Sequence, residues 1–324
     1  MSVRVDVGGR LHVGFQNLSL AHERLYGGVG IAVDSPRVVL EAERDDRVRC
    51  DDSLVARYAE RSCELLGVDG VTIEAIETLP RHVGVGSGTQ TALATLAAVA
   101  NVYDREPSIR EHAPSLNRGG RSGIGVAAFE SGGFIVDAGH PTERFTTAPP
   151  APGEWDVPAV TARHDIPEEW RILLVLPDVI AGRSGDGEDE SMRTVVENAD
   201  PSVANSLSNL LVRRLLPAVS EARLEAFGDA IGEFGRLNGA WYADEQGGVY
   251  RPPAGRLIDE LSESPAVRGV GQSSWGPAVY GITDISLAAE ARAVATDALD
   301  SVGVDGRVRV VEPRNDGARI DRSY

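Results

Sequence analysis

The sequence contains no lysine; all 32 of its basic side chains are arginine. That absence excludes Schiff-base chemistry, pyridoxal phosphate anchoring and the lysine of a P-loop. It also excludes the lysine-dependent phosphate clamp of many kinases. Arginine retains the ability to grip phosphate or carboxylate through its planar fork. Cysteine is nearly absent. Cys50 and Cys63 are too few for a disulfide framework in 324 residues and lack metal-site spacing. No apolar run reaches the roughly 18 residues of a membrane span. The opening stretch, Met1 to Asp6, lacks the basic-then-apolar pattern of a leader, so the expectation is a cytoplasmic protein.

Acid is what the chain has in excess. Its 49 Asp and Glu against 32 Arg give a net charge of −17. Such an envelope repels nucleic acid and anionic lipid, so neither is expected as a partner. An anionic ligand must be held by a local exception. Acid-rich, lysine-free composition suits a halophile, because hydrated carboxylates maintain solubility where salt screens charge. A GC-rich genome exchanging Lys for Arg codons produces the same bias. Hydrophobic residues make up 42%, enough for a core, and the length suggests two domains.

Local pattern gives a mixed order of strands and helices. Val3 to Val7 alternates as a strand ended by Gly8-Gly9, with Arg10 to Phe15 as a second strand. Gly27-Gly28-Val29-Gly30 reads as a turn and Val38 to Glu43 as a strand. Asp51-Asp52-Ser53 caps a helix to Leu66. Val71–Ala75 is a strand, Thr89–Val102 an apolar helix and Phe134–Asp137 a strand. The Pro-rich stretch from Thr146 to Pro158 predicts a connection, placing domains at 1–158 and 159–324. Beyond it come a buried strand at Arg171–Leu176, a polar loop at Gly182–Asp189, and helices at Pro201–Leu216, Glu221–Leu237 and Pro253–Ser262. Strands at Val267–Val270 and Ala278–Ile282, a helix at Ser286–Ala298 and a strand at Val308–Val311 follow. The tail from Asn315 reads as polar and mobile. Strict alternation is lacking, so two α+β domains fit better than one doubly wound sheet.

Pro80-Arg81-His82-Val83-Gly84-Val85-Gly86-Ser87-Gly88-Thr89-Gln90 carries the chemistry. Three alternate glycines follow a strand and open a helix. Glycine lets the backbone turn and approach a ligand. The helix start supplies unpaired N–H groups and a positive dipole end. Together these suit phosphate or diphosphate, with the Ser87 and Thr89 hydroxyls as further donors. A tight turn with glycines serving packing alone is the other reading. The spacing G-x-G-x-G is not the Rossmann fingerprint.

This stretch resembles the P-x-x-x-G-L-G-S-S motif of the GHMP superfamily, which includes galactokinase, homoserine kinase and mevalonate kinase. Within it the chain most resembles the β-ribofuranosylaminobenzene 5′-phosphate synthases of methanopterin synthesis. Four segments in order carry the likeness: Gly9–Phe15, Gly84–Gln90, Gly119–Gly125 and Gly271–Pro277. The resemblance implies an N-terminal ribosomal-S5-like domain and a C-terminal ferredoxin-like α/β sandwich. Superfamily kinases with a catalytic Asp commonly show S-G-x-D in the third segment. Ser122-Gly123-Ile124-Gly125 puts glycine there, and the partner lysine cannot exist, which disfavours an Asp–Lys pair activating a hydroxyl. An ATP-dependent small-molecule kinase therefore stands second, and a non-catalytic anion-binding protein third.

The family resemblance implies a decarboxylating transfer. 5-Phosphoribosyl 1-diphosphate joins 4-aminobenzoate, or 4-hydroxybenzoate, with loss of CO2 and diphosphate. Mg²⁺ is expected with the diphosphate, and a homodimer is implied. Gly84, Gly86, Ser87, Gly88, Thr89 and Gln90 would hold phosphate. Arg121 and Ser122 would grip phosphate or benzoate; read alone, Arg121 is equally a surface charge. Arg10 and His12 share one face of a strand, which the resemblance turns toward the cleft; read alone, His12 is a core histidine. Glu23 and Arg24 would touch ribose or ring substituents, or form a solvated ion pair. Ser273, Ser274 and Trp275 lie in a second polar loop with Gln272. Trp275 offers an aromatic face, or is a core anchor. The acidic run Asp186, Glu188, Asp189 and Glu190 reads as solvated rather than as a metal site.

Overall fold

Val3, Val5 and Val7 are buried while Arg4 between them is exposed, the period of a half-buried strand. That strand continues through Gly8-Gly9 to Asn17 and forms β1 (Ser2–Asn17). The structure, a computed structural model, describes residues 2–145, 151, 153–179 and 186–323, the side chains of 186–189 excepted. The chain continues as β2 (Arg24–Asp45), α1 (Ser53–Leu66), β3 (Gly70–Glu77), α2 (Ser87–Val102), α3 (Ile109–His112), α4 (Ile124–Ser131), β4 (Phe134–Asp137), β5 (His140–Pro141), β6 (Val160–His164) and β7 (Trp170–Pro177). Then come α5 (Asp186–Asn198), α6 (Pro201–Leu210), α7 (Leu216–Ser220), α8 (Leu224–Trp241), α9 (Ala243–Gln246), α10 (Ala254–Ser262), β8 (Arg268–Gln272), β9 (Val279–Asp284), α11 (Ala288–Val302), β10 (Gly306–Val311) and β11 (Arg319–Ser323).

Two antiparallel sheets organise these elements. The first has the order β11-β1-β2-β4-β6, with β3 and β5 also pairing with β2; the second has the order β10-β7-β9-β8. In the first sheet, Val3, Val5, Val7 and Leu40 pack against Val55 and Ala59 of α1 and Leu93, Ala94 and Ala97 of α2. Leu11, Ile31 and Phe134 instead meet Ile172 and Leu174 of the second sheet with Phe227 and Phe234 of α8. Another core lies between Leu173, Val175 and Val279 of the second sheet and α10 with α11.

Several elements differ from the sequence reading, each for a physical cause. Gly8 and Gly9 do not end β1, because the pairing with β2 absorbs them in an irregularity between Gly8 and Arg10. Gly27 to Gly30 lie inside β2, not in a turn. A Cβ on Gly28 would stand 2.8 Å from Asp137 Oδ2 and would press on Ser122 Oγ, so this glycine permits close approach. The helix expected from Thr89 starts at Ser87. Asp186 to Asp189, read as the end of a polar loop, belong to α5; residues 180–185 of that loop lie outside the described residues, as do 146–150 and 152 of the Pro-rich stretch. The tail is not a free end. Arg314 donates to Asp6 at 2.9 Å and to Asp34 at 3.3 Å, and β11 then pairs with β1. No helix among the described residues is long and apolar enough to cross a membrane.

Candidate active site

A cavity of about 910 Å³ opens between the Gly-rich start of α2, the middle of β1, the 117–122 loop, the end of α8 and the loop between β8 and β9. Local hydrogen bonds hold these pieces together. The His12 backbone N–H donates to Ser273 Oγ at 3.0 Å, and the Ser273 hydroxyl donates to the Gly84 carbonyl at 2.7 Å. Ser274 N–H reaches the His12 carbonyl at 2.9 Å, and Ala278 N–H reaches the Val83 carbonyl at 2.9 Å. The second sheet's loop is thus stitched onto both β1 and the Gly-rich loop.

The mouth of α2 forms part of the wall. Gly86 precedes the helix at φ +81°, and both Thr89 and Gln90 N–H return to its carbonyl. Ser87 and Gly88, in the first turn, therefore keep their N–H groups for a ligand. Arg10 arches over Gly86, where an added Cβ would meet its Cγ at 2.8 Å, and donates to the Gly84 carbonyl at 2.9 Å. Arg118 covers Gly88 from the other side, its guanidinium about 3.0 Å from where a Cβ would sit, and it bonds the Tyr58 hydroxyl. Arg57 stacks on the same tyrosine ring, 5.5 Å from the centroid. Arg81 is held by Asp52 through contacts of 2.8 and 2.9 Å.

Five arginines, at 10, 57, 81, 118 and 121, line this cavity, and no Asp or Glu does among the described lining residues. In a chain with a net charge of −17 this is the local exception an anion needs.

Aromatic rings form another part of the lining. Phe15, Trp155, Tyr242, Tyr250 and Trp275 supply them. Trp275 is 8% exposed and meets Tyr242 edge-on, with centroids 5.0 Å apart and planes at 76°. It is a core side chain with one margin on the cavity, so both readings of it apply. His12 also lines the cavity, edge-on to Phe15 with ring centroids 4.7 Å apart, and its Nε2 is 3.2 Å from Ser122 Oγ. Burial pushes its imidazole down to about 3, and the charge of Arg10 adds to the effect, so it is neutral at neutral pH.

The cavity gathers Arg10, His12, Arg121, Ser122, Gly84, Gly86, Ser87, Gly88, Thr89, Ser274 and Trp275 of the expected residues. Others lie elsewhere. Ser273 is fully buried and its hydroxyl is spent on backbone bonds. Gln90 is also fully buried, donating to the Gly125 carbonyl at 2.8 Å and joining α2 to α4. Arg24 donates to the Ala138 and Gly139 carbonyls and borders a separate cavity of about 330 Å³. Glu23 lines neither. The sequence reading passed over Arg118, although it stands one residue before the Gly119–Gly125 segment. It also passed over Asp137, a charge ending the apolar run Phe134-Ile135-Val136.

The mixed two-sheet fold with a glycine-lined helix mouth is that of the GHMP superfamily. Residues 53–133 match the family model of the GHMP kinases N terminal domain. Among solved structures, homoserine kinase from Cytophaga hutchinsonii superposes with a TM-score of 0.68 at 15% identity, over 99% of this chain and 97% of that one. Galactokinase from Lactococcus lactis gives 0.69 at 10% identity, over 98% and 95%. At these identities the likeness defines the fold alone.

Sequence defines the family more narrowly. Beta-ribofuranosylphenol 5′-phosphate synthase of Methanothermobacter thermautotrophicus is 34% identical over 97% of this chain and 97% of its own length. The protein of the same name from Archaeoglobus fulgidus is 31% identical over 98% and 99%. The chain belongs to this synthase family and is an enzyme of it.

Proposed function

We propose that the enzyme transfers the 5-phosphoribosyl group of 5-phosphoribosyl 1-diphosphate to the carboxylate-bearing ring carbon of 4-hydroxybenzoate, releasing CO2 and diphosphate. The phenol in the relatives' names favours this acceptor over 4-aminobenzoate. The observation that carries the reading is the cavity itself, lined by five arginines, the N–H groups at the start of α2 and several aromatic rings, with no carboxylate among its described lining residues.

The reaction balances without a strong base. The bond from ribose C1 to the diphosphate oxygen breaks, and the diphosphate leaves with the electron pair. The ring carbon forms the new bond to C1. The electrons of the bond to the carboxylate then return to the ring as CO2 departs, so no ring proton has to be removed. The protein's tasks are to hold the 5-phosphate, the diphosphate and the ring carboxylate and to place the ring against C1. Arg10, Arg118, Arg121 and the Ser87 and Gly88 N–H groups serve the first, and the aromatic side chains of the lining serve the second. Mg²⁺ is expected to accompany the diphosphate. No carboxylate lines the cavity and no cluster of three potential metal ligands occurs among the described residues, so these residues offer it no ligand set. No step here passes through it. A homodimer and a place in methanopterin-type cofactor synthesis belong to the same proposal.

Incubation of carboxyl-labelled 4-hydroxybenzoate with the sugar diphosphate tests the reading. Labelled CO2 and diphosphate are expected in equal amounts. Turnover with 4-aminobenzoate in its place would correct the acceptor, and ADP formation from ATP and a hydroxylated acceptor would replace transferase by kinase.

A further inference from the structure

Asp137 plays no part in the reaction just described, yet it is fully buried. Its Oδ1 accepts the Gly139 N–H at 2.9 Å and its Oδ2 the Gly123 N–H at 2.7 Å. The Gly28 N–H bonds it as well. Burial pushes its carboxyl up, and these donors oppose that shift. Three backbone N–H groups aimed at the two carboxyl oxygens favour the ionised, acceptor-only form, in which the Ser122 hydroxyl, 3.2 Å from Oδ2, is the donor of that contact.

The only hydrogen on Ser122 Oγ is thereby committed. What remains on that oxygen is lone pairs. One accepts the Ile124 N–H at 3.3 Å. The contact with His12 Nε2 at 3.2 Å then requires the imidazole to donate. A neutral imidazole carries a single N–H. The proton sits on Nε2, and Nδ1 is a bare acceptor. No described residue hydrogen-bonds Nδ1, and the ring borders the cavity.

This sequence of contacts is Asp–Ser–His. A nucleophilic triad places histidine in the middle, where it takes the serine proton. Here a sealed carboxylate holds that proton and histidine donates into serine, so Ser122 is not a nucleophile. What the chain of contacts delivers to the cavity is the tautomer of His12.

We propose that Asp137 is a positioning residue that acts through Ser122 to hold His12 in the Nε2–H tautomer, so that Nδ1 accepts a hydrogen bond from a hydroxyl of the bound substrate. Two hydroxyl sources fit that chemistry, the ribose of the sugar donor and the para position of the aromatic ring. The tautomer stands independently of the function proposed above; the substrate contact rests on it.

Long-range proton–nitrogen correlation on the full-length enzyme labelled with ¹⁵N-histidine tests the tautomer. The chain has six histidines, and the His12 signals are assigned by their loss in His12→Phe. The wild type is expected to show a neutral Nε2–H ring, and Ser122→Ala a mixture of tautomers. Asp137→Asn should resemble Ser122→Ala; if it does not fold, Ser122→Ala carries the test. An Nδ1–H ring or an imidazolium in the wild type at pH 7 overturns the proposal, as does an unchanged tautomer in Ser122→Ala. Kinetics test the contact. His12→Phe should lower kcat/KM about tenfold, the scale of one neutral hydrogen bond, with partial recovery in His12→Asn. A rise in KM for the sugar diphosphate assigns the ribose hydroxyl; a rise for 4-hydroxybenzoate that vanishes with unsubstituted benzoate assigns the ring hydroxyl. No change in any parameter overturns the contact. If the wild type turns over neither substrate, the proposed function fails while the tautomer result stands.

Discussion

Arg118 shows how one side chain changes the electrostatics of the site. It is anchored by the Tyr58 hydroxyl and ring and lies over Gly88 at the start of α2. A charge-assisted bond to phosphate is worth about 1.5–3 kcal/mol. Arg118→Ala should therefore raise KM for the sugar diphosphate about 10- to 100-fold and leave KM for the aromatic acid nearly unchanged; initial rates with each substrate varied in turn check this. His12 gives a stability prediction. Burial holds its native pKa at about 3 against an ordinary value of 6.5. Between those values the unfolded chain binds a proton that the native state refuses, so stability falls as pH drops below about 6.5, by up to about 1.4 kcal/mol per unit. Burial lowers His140 as well, so both proteins lose stability on acidification, but urea melts at pH 7 and pH 5 should show a loss about 1–2 kcal/mol larger in the wild type than in His12→Phe. Equal losses in both would count against a neutral buried imidazole. Trp275→Ala should cost about 3 kcal/mol through lost packing against Tyr242. Among molecules that remain folded it should raise KM for the acceptor more than for the donor.

Helix α2 is the element on which the site depends. Its sequence is apolar on all sides, and Gln90 to Val102 are all buried, so it is a central helix whose start is the part left open to a ligand. Gly86→Val forces a β-branched residue to φ +81° and into Arg10. Diphosphate binding should be abolished while the far-UV circular dichroism stays near that of the wild type; unchanged affinity would remove α2 from the binding site. Much of this element was legible because glycine spacing and an apolar run are local signals. The Asp52 cap of α1 was legible too, and its side chain accepts Leu54 and Val55 N–H. The continuous β1 and the glycines of β2 were not. Gly8-Gly9 and Gly27-Gly28 look like breaks from within their own segments. Only partners distant in sequence, Asp137 and Ser122 for Gly28, give the real reason for the small residue.

For the whole molecule, the charge distribution was half legible. Composition required a local exception to −17, and the structure supplies it by gathering arginines from positions 10, 57, 81, 118 and 121 around one opening. Sequence named Arg10 and Arg121 because they sit in motif segments; Arg81 stands within the Gly-rich stretch but was given no role, and Arg57 reaches the cavity only through tertiary packing. The tail was misread for a similar reason, since its fixing partners Asp6 and Asp34 are some 280 to 308 residues away. An envelope this acidic should repel itself at low ionic strength. The melting temperature is expected to rise as KCl is increased from about 0.1 M to about 2 M, as screening lengths fall below about 3 Å. A falling melting temperature would contradict adaptation to salt. At the centre of the account, the arginine-lined mouth of α2 seizes a diphosphate. Calorimetric titration of the wild type and Gly86→Val with inorganic diphosphate tests this most directly. One saturable site in the wild type and none in the variant is the predicted result; no binding in the wild type, or equal binding in both, would contradict it.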